Sequence, residues 1–206
     1  ARKYSVQISI SYEPAILGTG GALTKLKRFL DKASFWMVNA DVATDLDLGL
    51  LLEPLTTQHN ALASLWMIAD KGPQTVMLDD SRHVTSFRRG TRQNGGVTFA
   101  GIQLIQPEIF DFLPGITQFS SIITAYEKAM ANGWKMAGIC SDAAYWSDIG
   151  NPADYLSTHA ETARAFHHHQ AGQTLYDPNA DADFESAIPP GTWVDPSSSV
   201  HNSVIM

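Results

Sequence analysis

The sequence has few of the residues that build disulfides, nucleic-acid surfaces or membrane anchors. Its one cysteine, Cys140, excludes an internal disulfide and fits a reducing cytosol. The net charge is -7 without a basic block, which argues against nucleic-acid binding, because contact with phosphate backbones needs clustered Lys and Arg. No apolar run approaches the ~20 residues that span a bilayer, and no signal-peptide pattern opens the chain. We therefore expect a soluble, cytoplasmic protein without a membrane or nucleic-acid partner.

The chain is long enough for one full hydrophobic core but not for two. With 206 residues and 44% hydrophobic content, one main domain with a small appendage is expected. The chain enters a strand-like run at Tyr4 and stops at Met206 inside a repeating pattern. We therefore expect it to be a piece of a longer protein.

Strand and helix patterns alternate through the first two thirds of the chain, which predicts an α/β fold with a mixed, mainly parallel sheet. Residues 4–10 are typical of a strand, and residues 35–38 are apolar on both faces, as in a central strand covered by helices. Between them, Leu23, Leu26 and Leu30 recur at helical spacing. Further strands are predicted at residues 61–69, 75–78, 83–87, 97–105, 134–139 and 144–149, and further helices at residues 46–58, 107–112, 120–132 and 152–169.

Two aspartates stand at the ends of apolar runs: Asp41 after Phe35-Trp-Met-Val-Asn-Ala, and Asp148 in Tyr145-Trp-Ser-Asp-Ile-Gly. Such a carboxylate can hold a hard cation against a phosphate, because Mg²⁺ takes one or two protein carboxylates and completes its shell with water and substrate oxygens. Alternatively, each is a turn or cap residue that satisfies nearby N–H groups. In a parallel sheet both would lie at the carboxyl edge, where ligands of open α/β folds bind. We predict that they share one divalent ion.

The stretch Gly18-Thr-Gly-Gly21 is a glycine-rich turn at the start of a predicted helix. Such turns let backbone N–H groups approach an anion or a flat ring closely. Leu23 occupies the sixth position of a dinucleotide fingerprint, and no Gly-Lys-Ser/Thr follows as in a Walker A loop. A plain helix-entry turn is therefore the simpler interpretation of the motif taken alone.

Two other motifs also have simple structural interpretations. The stretch Gly90-Thr-Arg92 lies in an Arg- and Gly-rich loop that could reach a phosphate, but a solvated hairpin tip is favoured. The run His167-His-His169 cannot form a zinc site, because consecutive helical residues point about 100° apart.

The composition changes after Gly172 to Asp, Asn, Pro and Ser, as in a linker. Val194 and Val200 then recur at the hexapeptide period that is typical of a parallel β-helix. The alternative is a Ser-rich loop with two buried valines.

The order of these motifs resembles the sugar-1-phosphate nucleotidylyltransferases. Glu13-Pro-x-x-x-Gly-Thr-Gly-Gly-Ala-Leu is followed by Val38-Asn-Ala-Asp-Val, Phe99-Ala-Gly-Ile, Tyr145-Trp-Ser-Asp-Ile-Gly-Asn-Pro-x-x-Tyr and the hexapeptide coil. The resemblance covers about residues 4–165 and includes the mannose-1-phosphate guanylyltransferase, glucose-1-phosphate thymidylyltransferase and muramic-acid-1-phosphate uridylyltransferase branches.

The resemblance implies a Rossmann-like α/β/α nucleotidyltransferase domain over residues 1–172, without its N-terminal strand and loop. It implies that residues 173–206 form a linker and the first coil of a left-handed β-helix. The implied reaction joins a nucleoside triphosphate to a sugar 1-phosphate and releases an NDP-sugar and pyrophosphate. The residue roles implied are Mg²⁺ binding and catalysis by Asp41 and Asp148, a base and ribose pocket lined by Gly18, Thr19, Gly20 and Gly21, and close approach of the sugar at Gly101.

One family motif has no counterpart in the expected place. The family's triphosphate loop, Gly-x-Gly-Thr-Arg followed by a lysine, lies on its first strand, and no such strand precedes Tyr4. We therefore expect upstream residues or a separate piece to supply it. A second hypothesis is a non-catalytic, nucleotidyltransferase-like regulatory subunit that binds a nucleotide sugar. The sugar, the base and the assembly state, including a homo-oligomer, stay open.

Overall fold

The computed structural model of the protein describes residues 7–115, 118–141 and 144–170, with side chains up to residue 162. The helices are α1 (Gly18–Leu30), α2 (Leu52–Thr57), α3 (Ile122–Ala131) and α4 (Pro152–Gln170), and 3-10 turns lie at Leu48–Leu51, Arg92–Asn94 and Pro107–Asp111. The strands are β1 (Phe35–Val38), β2 (Val42–Thr44), β3 (Ala61–Ile68), β4 (Met77–Leu78), β5 (Val84–Ser86), β6 (Thr98–Ile105), β7 (Lys135–Cys140) and β8 (Trp146–Asp148).

The chain divides into two compact units, and each unit consists of two separate stretches of the sequence. The first unit contains Ala1–Asn39 and Asp47–Asp142, and the second contains Ala40–Leu46 and Ala143–Met206. The predicted α/β class is confirmed. The predicted domain boundary at residue 172 lies outside the described residues.

The first unit is built on a four-stranded sheet in the order β1-β6-β3-β7. Strand β6 runs antiparallel to both β1 and β3, and β3 runs parallel to β7. The sheet is therefore mixed as predicted, but the prediction of mainly parallel pairing is wrong for the described strands. The reason lies in the connection from β3 to β6, which contains the antiparallel β4–β5 pair and no α-helix. Neighbouring parallel strands need a long crossover, usually helical.

The hydrophobic core of the first unit contains sheet residues together with residues of α1 and α3. All eight positions of β3 are buried. The prediction that residues 35–38 form a central strand covered by helices is wrong for the described sheet, because β1 is an edge strand in which Trp36 is 38% and Val38 52% exposed. Burying each large apolar side chain contributes about 1.5–3 kcal/mol relative to leaving it exposed. The core includes Leu23, Phe35, Leu65, Ile105, Ile122 and Tyr126.

The predicted helix at residues 46–58 begins late, as its proline indicated. A 3-10 turn at Leu48–Leu51 comes first, and α2 follows with Pro54 near its start. Proline is tolerated there because the first N–H groups of a helix have no acceptor within it.

The second unit combines a short antiparallel ribbon with a long helix. Strands β2 and β8 pair in the register Val42↔Asp148, Ala43↔Ser147 and Thr44↔Trp146. Helix α4 follows β8 after one turn. Its cap is the predicted one, because the Asn151 side-chain oxygen accepts hydrogen bonds from the N–H groups of Ala153 and Asp154 at 3.1 and 3.0 Å.

Two sequence predictions extend beyond the described residues. Of the strand predicted at residues 4–10, the part that is described, residues 7–10, forms no regular secondary structure, since it pairs with no edge of the sheet. Ile10 is 91% exposed. The predicted β-helix coil at residues 173–206 lies outside the described residues.

Where the structure describes the chain, no helix combines the length and apolar character needed to cross a membrane.

Candidate functional site

The carboxylates of Asp41 and Asp148 face the same small space in the second unit. That space is marked by Gly150: a Cβ placed on this glycine would lie 3.0 Å from Asp148 Oδ1 and 3.8 Å from Asp41 Oδ2. Both side chains are exposed. The structure therefore brings the two aspartates close together, although more than a hundred residues separate them in the sequence.

The route by which they meet differs from the prediction. Asp41 precedes β2 and Asp148 ends β8, and these strands pair with each other rather than with the four-stranded sheet. The prediction that both aspartates lie at one edge of a parallel sheet is therefore wrong. An antiparallel ribbon brings the end of one strand beside the start of the other, which gives the same proximity by another arrangement.

Backbone hydrogen bonds hold the two aspartates at this end of the ribbon. The Ile149 N–H donates to the Asp41 carbonyl oxygen at 2.8 Å. The Gly150 N–H donates to Asp148 Oδ1 at 2.9 Å. These bonds are those of a turn residue, which was the alternative interpretation of Asp148. One oxygen of a carboxylate can accept such a bond while its remaining lone pairs stay available to a ligand.

The residues at this place suit a hard divalent cation. Carboxylate oxygens are the ligands that Mg²⁺ and Ca²⁺ prefer, and one or two protein carboxylates are the usual number for Mg²⁺. Because Gly150 has no side chain, this residue places no atom at the point near both Asp41 Oδ2 and Asp148 Oδ1. Among the described residues, no group of three or more His, Cys, Asp or Glu residues could hold a metal ion. Any cation here would therefore take most of its ligands from water or substrate.

Hydrogen bonds of Tyr145, the residue before β8, join the start of this strand to the end of β2 and to α4. Thr44 Oγ1 donates to the Tyr145 carbonyl oxygen at 2.7 Å, and Asp45 Oδ1 accepts from the Tyr145 N–H at 2.6 Å. The Tyr145 hydroxyl donates to Glu161 Oε2 at 2.7 Å. Burial, reinforced by the Glu161 carboxylate, raises the pKa of Tyr145 to about 12. The hydroxyl therefore stays protonated and keeps this bond at neutral pH.

The glycine-rich turn forms the start of α1, as predicted, and packs tightly against the segment before α3. A Cβ on Gly18 would lie 2.6 Å from the Ser120 carbonyl oxygen, and one on Gly21 would lie 2.7 Å from that of Gln118. Gly18 also has a φ of +70°, which favours glycine. The Gly20 N–H donates to the Ser120 carbonyl oxygen at 2.8 Å. These glycines therefore allow two backbone segments to approach each other.

Thr19 has a structural role in the same contact. Its hydroxyl oxygen accepts a hydrogen bond from the Ile122 N–H at 2.9 Å, at the first residue of α3. This N–H has no partner within its own helix. The proposed role of residues 18–21 in lining a base and ribose pocket stays a prediction beside this observed packing role.

Gly101 lies in β6 beside Asn39, at the end of β1. Its φ is +81°, and a Cβ there would lie 2.8 Å from Asn39 Nδ2. The Asn39 N–H donates to the Gly101 carbonyl oxygen at 2.9 Å. Gly101 therefore leaves room for the Asn39 side chain, a neighbour that the sequence did not indicate. The predicted approach of a sugar at Gly101 stays a prediction.

Asp41 and Asp148 belong to the second unit, whereas residues 18–21 and Gly101 belong to the first and have different neighbours.

The Arg- and Gly-rich loop is exposed over residues 91–95, but the predicted hairpin tip is wrong, because the flanking strands β5 and β6 do not pair with each other. Thr91 caps the 3-10 turn Arg92–Asn94 by a reciprocal exchange with Asn94. Arg88 forms a two-point hydrogen bond with Glu127, with Nε to Oε1 at 2.8 Å. This pairing raises the pKa of Arg88. Contacts within the loop and with Glu127 of α3 therefore hold it.

Comparison with known proteins identifies the family. The sequence profile described as "Nucleotidyl transferase" matches residues 1–165. The chain belongs to the nucleotidyl transferase family. The resemblance drawn from the motif order is thereby confirmed.

Several relatives of this nucleotidyl transferase chain are sugar-phosphate enzymes by name. D-glycero-alpha-D-manno-heptose 1-phosphate guanylyltransferase of Campylobacter jejuni subsp. jejuni is 30% identical over 152 residues, which are 73% of this chain and 65% of that protein. N-acetylmuramate alpha-1-phosphate uridylyltransferase of Neisseria meningitidis serogroup B is 27% identical over 157 residues, covering 71% of this chain and 63% of that protein. The chain thus spans just under two thirds of these relatives.

A solved structure supports the same fold. HddC from Yersinia pseudotuberculosis, complexed with GMP-PN, superposes with a TM-score of 0.53 at 23% identity, covering 70% of this chain and 62% of that one. At this identity the likeness concerns the fold alone.

Proposed function

We propose that this protein transfers a nucleotidyl group from a nucleoside triphosphate to a sugar 1-phosphate, giving an NDP-sugar and pyrophosphate. The proposal is supported by the family match and by the guanylyl- and uridylyltransferase activities named for its relatives. The single observation that carries it is the convergence of the Asp41 and Asp148 carboxylates around Gly150.

In this proposal, Asp41 and Asp148 hold Mg²⁺. When bound, the ion supplies positive charge that offsets the phosphate charges of the reacting groups. The sugar phosphate is already an anionic nucleophile, so the chain needs to align it with the α-phosphorus rather than to remove a proton from it. The proposed reaction therefore needs no general base in addition to the two carboxylates.

The remaining residues have binding roles in the proposal. Gly18, Thr19, Gly20 and Gly21 line the base and ribose pocket, and Gly101 admits the sugar. These roles rest on the family resemblance. Of these residues, Thr19 is exposed, whereas Gly20, Gly21 and Gly101 are buried. Cytoplasmic location and homo-oligomeric assembly are part of the same proposal.

The proposal is tested with the full product of the gene, since the chain spans under two thirds of its named relatives. Each nucleoside triphosphate is combined with a panel of sugar 1-phosphates and Mg²⁺, and pyrophosphate release is measured. We expect turnover with at least one pair, and a loss of at least about 100-fold in Asp41→Ala and Asp148→Ala. Asp70→Ala, which removes an exposed carboxylate from the turn after β3, is the matched control. Absence of turnover with every pair, or full activity of both site variants, refutes the proposal.

The second candidate is a regulatory subunit that binds a nucleotide sugar without turning it over. The same family match supports it, and it differs from the first proposal only in the absence of turnover. The same preparation distinguishes the two. Saturable binding of an NDP-sugar by calorimetry, without pyrophosphate release from any substrate pair, supports this candidate.

A further inference from the structure

The β2–β8 ribbon is too short to hold its own register. It has three residue pairs and no third strand among the described residues. An isolated two-stranded ribbon is marginally stable in water. A slip by one residue would turn every side chain of one strand to the other face. The approach of Asp41 to Asp148 around Gly150 depends on that register, so something besides the ladder has to hold it.

Side chains of two consecutive residues supply that restraint at the end of the ribbon away from Gly150. Thr44 donates to the Tyr145 carbonyl oxygen, and Asp45 accepts from the Tyr145 N–H. The Thr44 hydroxyl oxygen also accepts from the Leu46 N–H at 3.0 Å, which fixes its orientation. Both polar groups of one peptide residue are therefore held by β2 and the residue after it.

This double contact exists in one register only. If β8 moved by one residue, Thr44 and Asp45 would face the polar groups of residue 144 or 146 instead, whose N–H and C=O point the other way across the pleat. The Asp45 bond is short, at 2.6 Å, and is assisted by the carboxylate charge. Loss of Asp45 would therefore release the register most strongly.

We propose that Asp45 is a positioning residue, which sets the register of β8 on β2 and so holds the Asp41 and Asp148 carboxylates around one site. This inference rests on the proposed function, because it assumes that the two carboxylates bind a divalent ion. Asp45 acts through the ribbon and touches neither the ion nor the substrate.

The test measures ion binding and the ribbon itself, apart from turnover. Mn²⁺ binding to the full product of the gene is followed by electron paramagnetic resonance, and exchange of the Tyr145 and Ile149 amide protons is followed by NMR. We expect Asp45→Ala to raise the Mn²⁺ dissociation constant by about 10-fold, as is common when residues that orient ligands are removed, and to speed exchange at both amides. Asp45→Asn keeps an acceptor oxygen and should restore most of the affinity.

Asp47→Ala is the matched control, because Asp47 also accepts a backbone hydrogen bond, from the Gly49 N–H at 2.9 Å, but belongs to the first unit. The Mn²⁺ affinity of the Asp47→Ala variant should equal that of the unchanged protein. Unchanged affinity in Asp45→Ala, or equal losses in Asp45→Ala and Asp47→Ala, overturns the positioning role alone. Failure of the unchanged chain to bind Mn²⁺, or binding that survives Asp41→Ala and Asp148→Ala, overturns the metal site and this inference with it.

Discussion

Replacing Asp148 by Asn should change the stability of the protein in opposite directions with and without a divalent ion. Asn keeps the side-chain oxygen that accepts the Gly150 N–H, so the turn is preserved while the charge is removed. One oxygen of Asp41 and one of Asp148 lie within 4 Å of the same point, so they are at most about 7 Å apart. Two unit charges at that distance in water repel by about 0.6 kcal/mol. Without metal, Asp148→Asn should therefore be slightly more stable than the unchanged protein.

With Mg²⁺ the order reverses. An ion that binds only the folded state stabilises it by about 2.7 kcal/mol when present at a hundred times its dissociation constant. For a chain of this length, that corresponds to a rise of about 5–10 °C in Tm. Asp148→Asn removes one of the two carboxylates, so its Tm should respond to Mg²⁺ by far less.

The assay is thermal unfolding followed by circular dichroism across a series of MgCl₂ concentrations. KCl keeps the ionic strength constant, because exposed charges are screened by salt. Asp70→Asn, an exposed aspartate elsewhere, should respond to Mg²⁺ as the unchanged protein does. A Mg²⁺-dependent rise in Tm that is equal in Asp148→Asn and the unchanged protein would refute the assignment of the ion to this pair.

Three further outcomes are expected. Gly150→Ala should weaken Mn²⁺ binding by about 10-fold in the resonance assay without lowering Tm, because the added methyl would press on Asp148 Oδ1 at 3.0 Å; unchanged affinity would contradict the described arrangement. Tyr126→Phe should lower the free energy of unfolding in urea by about 1–3 kcal/mol, since the buried hydroxyl donates to Gln103 Oε1 at 2.6 Å and Gln103 Nε2 already has no partner; a smaller loss would show that the site relaxes. The free energy of unfolding should fall as pH rises from 10 to about 12, because the folded state keeps Tyr145 protonated over that window. In Tyr145→Phe the free energy of unfolding should fall less steeply across the same window. An equal pH dependence in the variant and the unchanged protein would contradict this.

Much of the secondary structure followed from local patterns. The strand at β3, the helix beginning at Gly18 and the Asn151 cap were all predicted, because each depends on neighbours along the chain. The direction of β6 was not predictable in the same way. Strand direction depends on how the connecting segment returns, and between β3 and β6 that segment contains the β4–β5 pair.

Two of the four residues discussed at the candidate site were predicted from the sequence. Asp41 and Asp148 stood out because a carboxylate after an apolar run is a recognisable pattern. Asp45 and Gly150 did not, because their importance lies in what they face: the Tyr145 N–H for one and two carboxylates for the other. A Thr-Asp pair after a short strand and a Gly after an Asp are too common to single out without the partner strand.

By itself, the sequence determined the family, the α/β class and the residue types able to hold a cation, since these depend on motif order, periodicity and side-chain chemistry. Only the tertiary structure decided that Asp41 and Asp148 meet through an antiparallel ribbon, and that Gly18 and Gly21 leave room for backbone carbonyls. The physical reason is that such proximity arises from pairing between segments far apart in the chain. A residue's own neighbours in sequence carry no record of that pairing.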